Sequence, residues 1–492
     1  MSLPGRRLLS LSTVALLCSH ALCAGNSDLS DSATQPSAEV RHAPLSLHPD
    51  NPHYFLFRGK PAVLISSGEH YGAVLNLDFD YVRYLNELQS CGLNHTRLFS
   101  GTYHEVPGNF GIADNTLAPA TGRYIGPWLR VKEPGPDGAG KFDLTRFDPA
   151  FFERLKDFLT RASQRNVVVE VNFFCPNYDD SQWGVSPMNP ANNVNHIAPL
   201  ARTEAYTLGH PDLLAFQDAF VRKIVTECRD FDNLYFEVCN EPYFGGVTMD
   251  WQNHIVASIR DAEKDMPAGH LISMNVANGS KKVSKPNPAV SIFNFHYCAP
   301  PDAVAANWEL DKVIGENETG FNGSKDLTYR TEGWNFILAG GGLYDSLDYS
   351  FTAAHPDGSM EKYKAPGGGS LALRRQLKVL HEFIDGFDFL RMKPDNGLIK
   401  SGIGAGVTAR VLAEPGKQYA IYVTGGHQLD LKLDLPAGTY AVQWLNPATG
   451  KIEKSEDIPS NGGVETLRSP EYADDVALSV KAGAKPIVKG RE

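Results

Sequence analysis

The chain has 492 residues, 42% of them hydrophobic and 21% charged, with a formal net charge of −11. That length exceeds one ordinary domain and suits a barrel of roughly 250 residues or more joined to an accessory domain. The acidic balance offers no basic footprint for nucleic acid or anionic lipid, which argues against both as partners.

At the N-terminus, Arg6 and Arg7 precede the apolar run Leu8 to Cys18 and the small residues Ala21 and Ala24. This is the layout of a secretory signal, residues 1–24, with cleavage near Ala24. An uncleaved anchor is the competing reading, but the run is short for a span of about 20 residues, and no later stretch is long enough to cross a bilayer. Residues 25–45 are polar and are read as a flexible leader, so the expected compartment is secreted or periplasmic, with no membrane contact after signal removal. Cysteines 91, 175, 228, 239 and 298 remain, an odd set without paired metal spacing. Buried free thiols are expected, with one disulfide involving Cys175, Cys239 or Cys298 as the alternative.

Two short apolar runs, Tyr54 to Arg58 and Lys60 to Ser66, broken by Gly59, predict a hairpin leading into a first buried strand that ends near Gly68-Glu69-His70. Asp78 to Cys91 has helical spacing with Gly92 as its stop, and Leu93 to Phe99 follows as strand two. Thr102 to Thr145 is a long Gly/Pro-rich aromatic loop, read as a cleft wall because loops of this length are usually functional. A helix to Asn166, a third strand Val167 to Phe174, a second long loop to Gly209 and a helix His210 to Phe231 come next. Strand four, Asn233 to Cys239, is an apolar run that ends abruptly in Asn240-Glu241-Pro242. Met249 to Met266 is helical. Strands follow at Leu271 to Val276, Val290 to Cys298, Lys312 to Glu318 and Leu343 to Phe351, with helices at Tyr329 to Ala339 and Leu371 to Phe387. Eight strand and helix units of near-continuous hydrophobic strands predict a parallel (β/α)8 barrel over residues 46–399.

Beyond about Lys400 the texture changes to short alternating segments, Gln418 to Thr424, Leu429 to Leu435 and Thr439 to Leu445, punctuated by Pro415-Gly416, Pro436-Ala437-Gly438 and Pro447. Residues 400–492 are therefore expected to form a smaller all-β sandwich.

In such a barrel the strand ends converge on one pocket. Strand four brings Glu241, and strand seven brings Glu316 or Glu318. Two carboxylates across a cleft can divide acid and nucleophile duties at a glycosidic bond. Alternation places Glu316 and Glu318 on one strand face, and depth favours Glu318, nearer the strand end, with Glu316 below it and within reach of Arg97. No metal or organic cofactor is called for.

At these residues the chain resembles clan A of the glycoside hydrolases, most closely family 5 cellulases and related secreted bacterial hydrolases. The Asn240-Glu241-Pro242 motif is similar to the strand-four pair of that clan, which implies Glu241 as acid/base and Asn240 as the residue holding the sugar 2-hydroxyl. Arg97 resembles the strand-two arginine that supports the nucleophile, and His296 and Tyr297 the strand-six pair beside the carboxylates. The resemblance departs at strand three, where Phe173-Phe174 stand in place of a histidine and Asn172 is the nearest polar substitute. It departs again at strand eight, where Asp348-Tyr349 stand in place of a tryptophan platform. The tail, with Gly438-Thr439-Tyr440 and Trp444, resembles the small sandwich of secreted hydrolases that goes by the name of a collagen-binding domain.

The sequence thus predicts a retaining β-glycosidase acting on a glycan or oligosaccharide. Glu241 is its acid/base and Glu318 its nucleophile; Asn240, Arg97, His296, Tyr297, Asn172, Glu316, Glu69, His70 and Tyr349 face the substrate. Tyr103, Trp128, Trp183 and Tyr243 either stack on sugar or pack the loops. The alternative is a barrel without activity that serves as a secreted carbohydrate-binding protein.

Overall fold

The computed structural model describes residues 42–135 and 138–483. The expected signal peptide and residues 25–41 lie outside them. Eight parallel strands form the central sheet: β1 (Leu64–Gly68), β2 (His95–Phe99), β3 (Val168–Phe174), β4 (Leu234–Cys239), β5 (Ile272–Asn278), β6 (Ile292–His296), β7 (Val313–Glu318) and β8 (Leu343–Leu347). Hydrogen bonding runs β1-β8-β7-β6-β5-β4-β3-β2. The gap between β1 and β2 is stitched by Asn94: its Oδ1 accepts from the Ile65 amide at 2.8 Å, its Nδ2 donates to the Val63 carbonyl at 2.9 Å and its backbone amide donates to the Ile65 carbonyl at 3.3 Å. Every strand except β5 is buried along its whole length, as expected of a sheet covered on both faces.

Helices α1 (Tyr81–Ser90), α2 (Pro149–Ser163), α3 (Pro211–Cys228), α4 (Met249–Ala262), α5 (Asp302–Asn307), α6 (Asp326–Leu338) and α7 (Leu371–Asp385) cover the outside. Their starts follow local chemistry. Asp80 and Asp148 cap α1 and α2 with their carboxylates, and Ser370 caps α7 with its hydroxyl. The connection from β5 to β6, residues 279–291, contains no helix. Strand eight is shorter than its sequence suggests and ends at Leu347; the Asp348 amide still donates to the Gly68 carbonyl at 2.7 Å, and its carboxylate accepts from Arg374 Nη1 at 2.5 Å.

Inside the barrel, Leu64, Val168, Tyr235, Ile292, Val313 and Leu343 form the lowest layer. A three-stranded N-terminal sheet, Ser46–His48, Asn51–Phe57 and Lys60–Ala62, closes this end by placing Phe55 against it, together with Leu45. The layers above are polar, and they lead to the site.

The alternation expected of β7 breaks at its end. Phe295 pairs with Glu316 and His296 with Glu318, so Asn317 is an extra, bulged residue. The bulge returns Glu318 to the barrel interior and leaves Glu316 on the opposite side, near Glu332 of α6, where it accepts the Cys298 amide at 2.6 Å. The expectation that the two glutamates share a face is thereby overturned, and so is a contact between Glu316 and Arg97.

The C-terminal strands form a six-stranded and a three-stranded antiparallel sheet around a core that includes Tyr419, Leu433, Trp444 and Leu478. Leu412, Ala420, Tyr422 and Ala477 belong instead to the apolar cluster that covers the outside of the barrel, so the two parts share a core. The five described cysteines are free and buried; Cys175, Cys239 and Cys298 are not bridged.

Candidate active site

The site is built on a buried cation. The Arg97 guanidinium of β2 donates from Nε to Glu170 of β3 at 2.8 Å and from Nη2 to Glu237 of β4 at 2.7 Å and Asn240 Oδ1 at 3.0 Å. Its remaining nitrogen, Nη1, lies 3.3 Å from Glu318 Oε2. The bulged Asn317 donates to both Glu170 and Glu237, and Tyr235 closes the layer by donating to Glu170 at 2.5 Å. A planar fork suits this arrangement, since one arginine meets three carboxylates in three directions. Burial alone would raise Glu170, but Arg97 and His95 overcome it and hold the carboxyl low. Glu237, crowded by burial and by Glu170, is pushed up to about 8.

Above this layer stand the two carboxylates. Glu318 accepts the hydroxyls of Tyr71 at 2.7 Å and Tyr297 at 2.9 Å. Glu241 accepts those of Tyr178 at 2.6 Å and Tyr243 at 3.2 Å. His296 Nδ1 sits between them, 3.4 Å from an oxygen of each. One oxygen of each carboxylate and one nitrogen of His296 lie within 4.8 Å of one another. Burial works to raise Glu318, yet His296, Arg97 and Tyr71 outweigh it and hold the carboxyl well below its usual range. His296 is driven the other way: burial lowers it, and the two carboxylates raise it above the ordinary imidazole value.

Three of these residues have left-handed backbone conformations that non-glycine residues rarely adopt: Tyr71 at φ 59°, Glu241 at φ 40° and Tyr297 at φ 51°. Such strain gathers where the surrounding structure over-determines a functional geometry.

Of the residues singled out from sequence, Glu241, Glu318, Asn240, Arg97, His296 and Tyr297 are brought together here. His70 also lines the cavity, with Nε2 3.5 Å from Glu105. Glu69 does not: its carboxylate accepts the Gly72 and Ala73 amides at 3.0 Å each and the Thr116 hydroxyl, tying two loops together below the cleft. Burial raises it to about 7. Asn172 is buried within the barrel and Tyr349 lies behind His70, their rings 5.9 Å apart; neither lines the cavity. Tyr103 lines it, whereas Trp128 packs on Phe220 away from it.

Sequence reasoning passed over Tyr71 and Tyr178, each donating to one carboxylate, and Glu170 and Glu237, which hold Arg97. The last two were legible as acidic residues inside otherwise apolar strands, positions where an unpaired charge is too costly to survive. Tyr178 lies in a long loop, where no periodicity marks direction. The cavity, of about 350 Å³, also has Phe110, Phe244 and Phe321 on its wall.

Residues 121–339 match the model of the family Cellulase (glycosyl hydrolase family 5). A glycoside hydrolase family 5 structure from Bacteroides vulgatus aligns over 91% of this chain and 94% of its own, at 14% identity and TM-score 0.60. A second structure from the same organism aligns over 91% of this chain and 84% of its own, at 14% identity and TM-score 0.64. No curated protein matches the chain in sequence. At such identities the solved structures speak for the fold, and the family match speaks for the domain within it. The chain is thus a glycoside hydrolase that is similar over residues 121–339 of its barrel to glycosyl hydrolase family 5.

Proposed function

We propose that the protein is a secreted or periplasmic enzyme that cleaves β-glycosidic bonds with retention of anomeric configuration. The observation that carries the reading is the approach of Glu241 and Glu318, whose nearest oxygens lie within 4.8 Å around His296. Retaining enzymes hold their carboxyls about 5 to 5.5 Å apart, too close to admit a water between them, whereas inverting enzymes separate them by about 6.5 to 9.5 Å.

The surroundings divide the roles. Glu318, beside Arg97 and His296, is kept ionised and is the nucleophile. Its oxygen attacks the anomeric carbon as the bond to the leaving oxygen breaks, and Glu241 gives that oxygen its proton. In the second step Glu241 takes a proton from water, the water oxygen bonds to the anomeric carbon, and the Glu318 ester bond breaks. Tyr71 and Tyr297 hold Glu318 in line, and Asn240, with its amide between Arg97 and the Tyr178 hydroxyl, faces the sugar. The deciding measurement is NMR of the first-formed anomer after a screen on aryl β-glycosides and soluble β-glycans. Retention is expected; an inverted first product would remove Glu318 from the nucleophile role.

A further inference from the structure

Resting on that reading, we propose that the leaving-group side of the cavity selects an apolar aglycone, an aryl or alkyl group, over a further sugar. The described surface leaves three phenylalanines exposed, Phe110 (41%), Phe244 (43%) and Phe321 (40%), and all three line the catalytic cavity. They come from three separate loops. Their edges meet in a line: Phe321 to Phe110 at 6.1 Å, Phe110 to Tyr178 at 5.4 Å, and Tyr178 to Phe244 at 5.8 Å between centroids. Phe110 is displayed at a cost, with φ 54° between Gly108 at φ 87° and Gly111 at φ 74°. A bulky residue in that region is held there by its surroundings.

One end of the line lies at the acid/base, and the other reaches Tyr297, 6.1 Å from Phe321 between centroids. Tyr178 donates to Glu241, and the Phe244 amide donates to the Glu241 carbonyl at 3.0 Å. Glu241 protonates the leaving oxygen, so the group attached to that oxygen rests among these rings. Of the polar groups on the wall, His70 and Glu105 are joined to each other at 3.5 Å, and Asn278 is taken up by the Tyr243 hydroxyl beside Glu241. Phenylalanine offers no donor or acceptor. A ring can cover the C–H face of a sugar, but the hydroxyls buried with that face lose water without gaining a partner from phenylalanine, while an alkyl or aryl group loses only unfavourable contact with water.

The test is binding to Glu318→Gln protein, which holds substrate without turnover. Methyl and hexyl β-glycosides of glucose, mannose, galactose and xylose, and the β-1,4-linked disaccharides of glucose, mannose and xylose, are titrated by calorimetry. At least one hexyl glycoside is expected to bind about tenfold or more tightly than its methyl counterpart. Adding Phe110→Ala and Phe321→Ala, which remove exposed rings and leave the core intact, is expected to abolish that ratio. Equal binding of hexyl and methyl glycosides, tighter binding of a disaccharide, or no binding of any hexyl glycoside overturns the proposal. Failure of the hydrolase reading is distinct: it would show as absence of turnover in the native enzyme, whereas the ratio here is read from binding alone.

Discussion

Arg97 Nη1 stands 3.3 Å from Glu318 Oε2, while the same guanidinium is held at 2.8 Å by Glu170 and at 2.7 Å by Glu237. The two deeper carboxylates fix the arginine, and the arginine then offers its remaining face to Glu318, the proposed nucleophile. Arg97→Met removes one cation from three buried acids. Leaving buried charge unpaired costs about 3–5 kcal/mol, so the urea midpoint is expected to fall sharply. Arg97→Lys keeps the charge and loses the fork, and should lie between the two in stability while losing about a hundredfold in kcat/KM. A native-like melting curve for Arg97→Met would show that the clamp has no energetic role.

The two carboxylates should respond differently to loss of charge. Glu318→Gln removes the attacking atom, and kcat is expected to fall at least about a thousandfold on every substrate. Glu241→Gln removes a proton donor, worth about 10²- to 10⁴-fold on an alkyl glycoside, and should cost much less on an aryl glycoside whose phenolate leaves without assistance. Comparison of kcat/KM on 4-nitrophenyl and methyl glycosides checks this, because that ratio reports the first bond cleavage and not the later step in which Glu241 takes a proton from water. Equal losses on both substrates for Glu241→Gln would remove it from the proton-donor role.

The barrel was legible because its strands are buried on both faces and read as apolar runs between helical periods. Arg97, Asn240, Glu241 and His296 were legible for a related reason: polar residues at the ends of such runs have few places to point except into the cleft. What sequence could not show is the bulge at Asn317. A period of two predicts direction only while the ladder is regular, and one extra residue exchanges inside for outside. Glu316 and Glu318 were therefore placed on one face, when they lie on opposite sides of the sheet. Glu69 misled for another reason, since a carboxylate just beyond a strand end serves equally well to cap loop amides. Tyr349 follows a strand that ends at Leu347, four residues earlier than its apolar pattern, and the Asp348 carboxylate just beyond it is held by Arg374.

Stability should depend on pH with a maximum near pH 5. Burial raises Glu69 to about 7 and Glu237 to about 8 from an ordinary 4.5, so the folded chain keeps protons that the unfolded chain releases. Their contribution is complete below pH 4.5 and is lost as pH rises through those values. His296, raised by Glu318 and Glu241 against burial, adds stability that is complete below its ordinary 6.5 and is lost at higher pH. Glu318, held low by His296 and Arg97 against burial, adds stability above its ordinary 4.5 that is lost on acidification. Thermal melts between pH 4 and pH 9 check this: Tm should decline steadily from pH 5 upward. A Tm that rises over that range would contradict it.

The two parts of the chain are expected to unfold together. Arg330 of α6 meets Asp475 of the C-terminal sheet in a two-pronged contact, 2.9 Å at each nitrogen, and Tyr422 donates to the same carboxylate at 2.7 Å. Trp334 of α6 stacks on Tyr422 at 5.0 Å between centroids. Both charges are nearly dry, with side chains 7% and 3% exposed, so removing one strands the other. Asp475→Ala should therefore destabilise by about 3–5 kcal/mol, whereas Arg330→Met combined with Asp475→Leu should recover much of that loss, since it leaves no charge behind. Urea unfolding followed by far-ultraviolet circular dichroism and by tryptophan fluorescence should give coincident transitions in all variants, because Tyr422, Leu412 and Ala477 extend the apolar cover of the barrel itself. Two separated transitions in the native protein, with only one of them shifted by Asp475→Ala, would show that barrel and sandwich unfold as independent units.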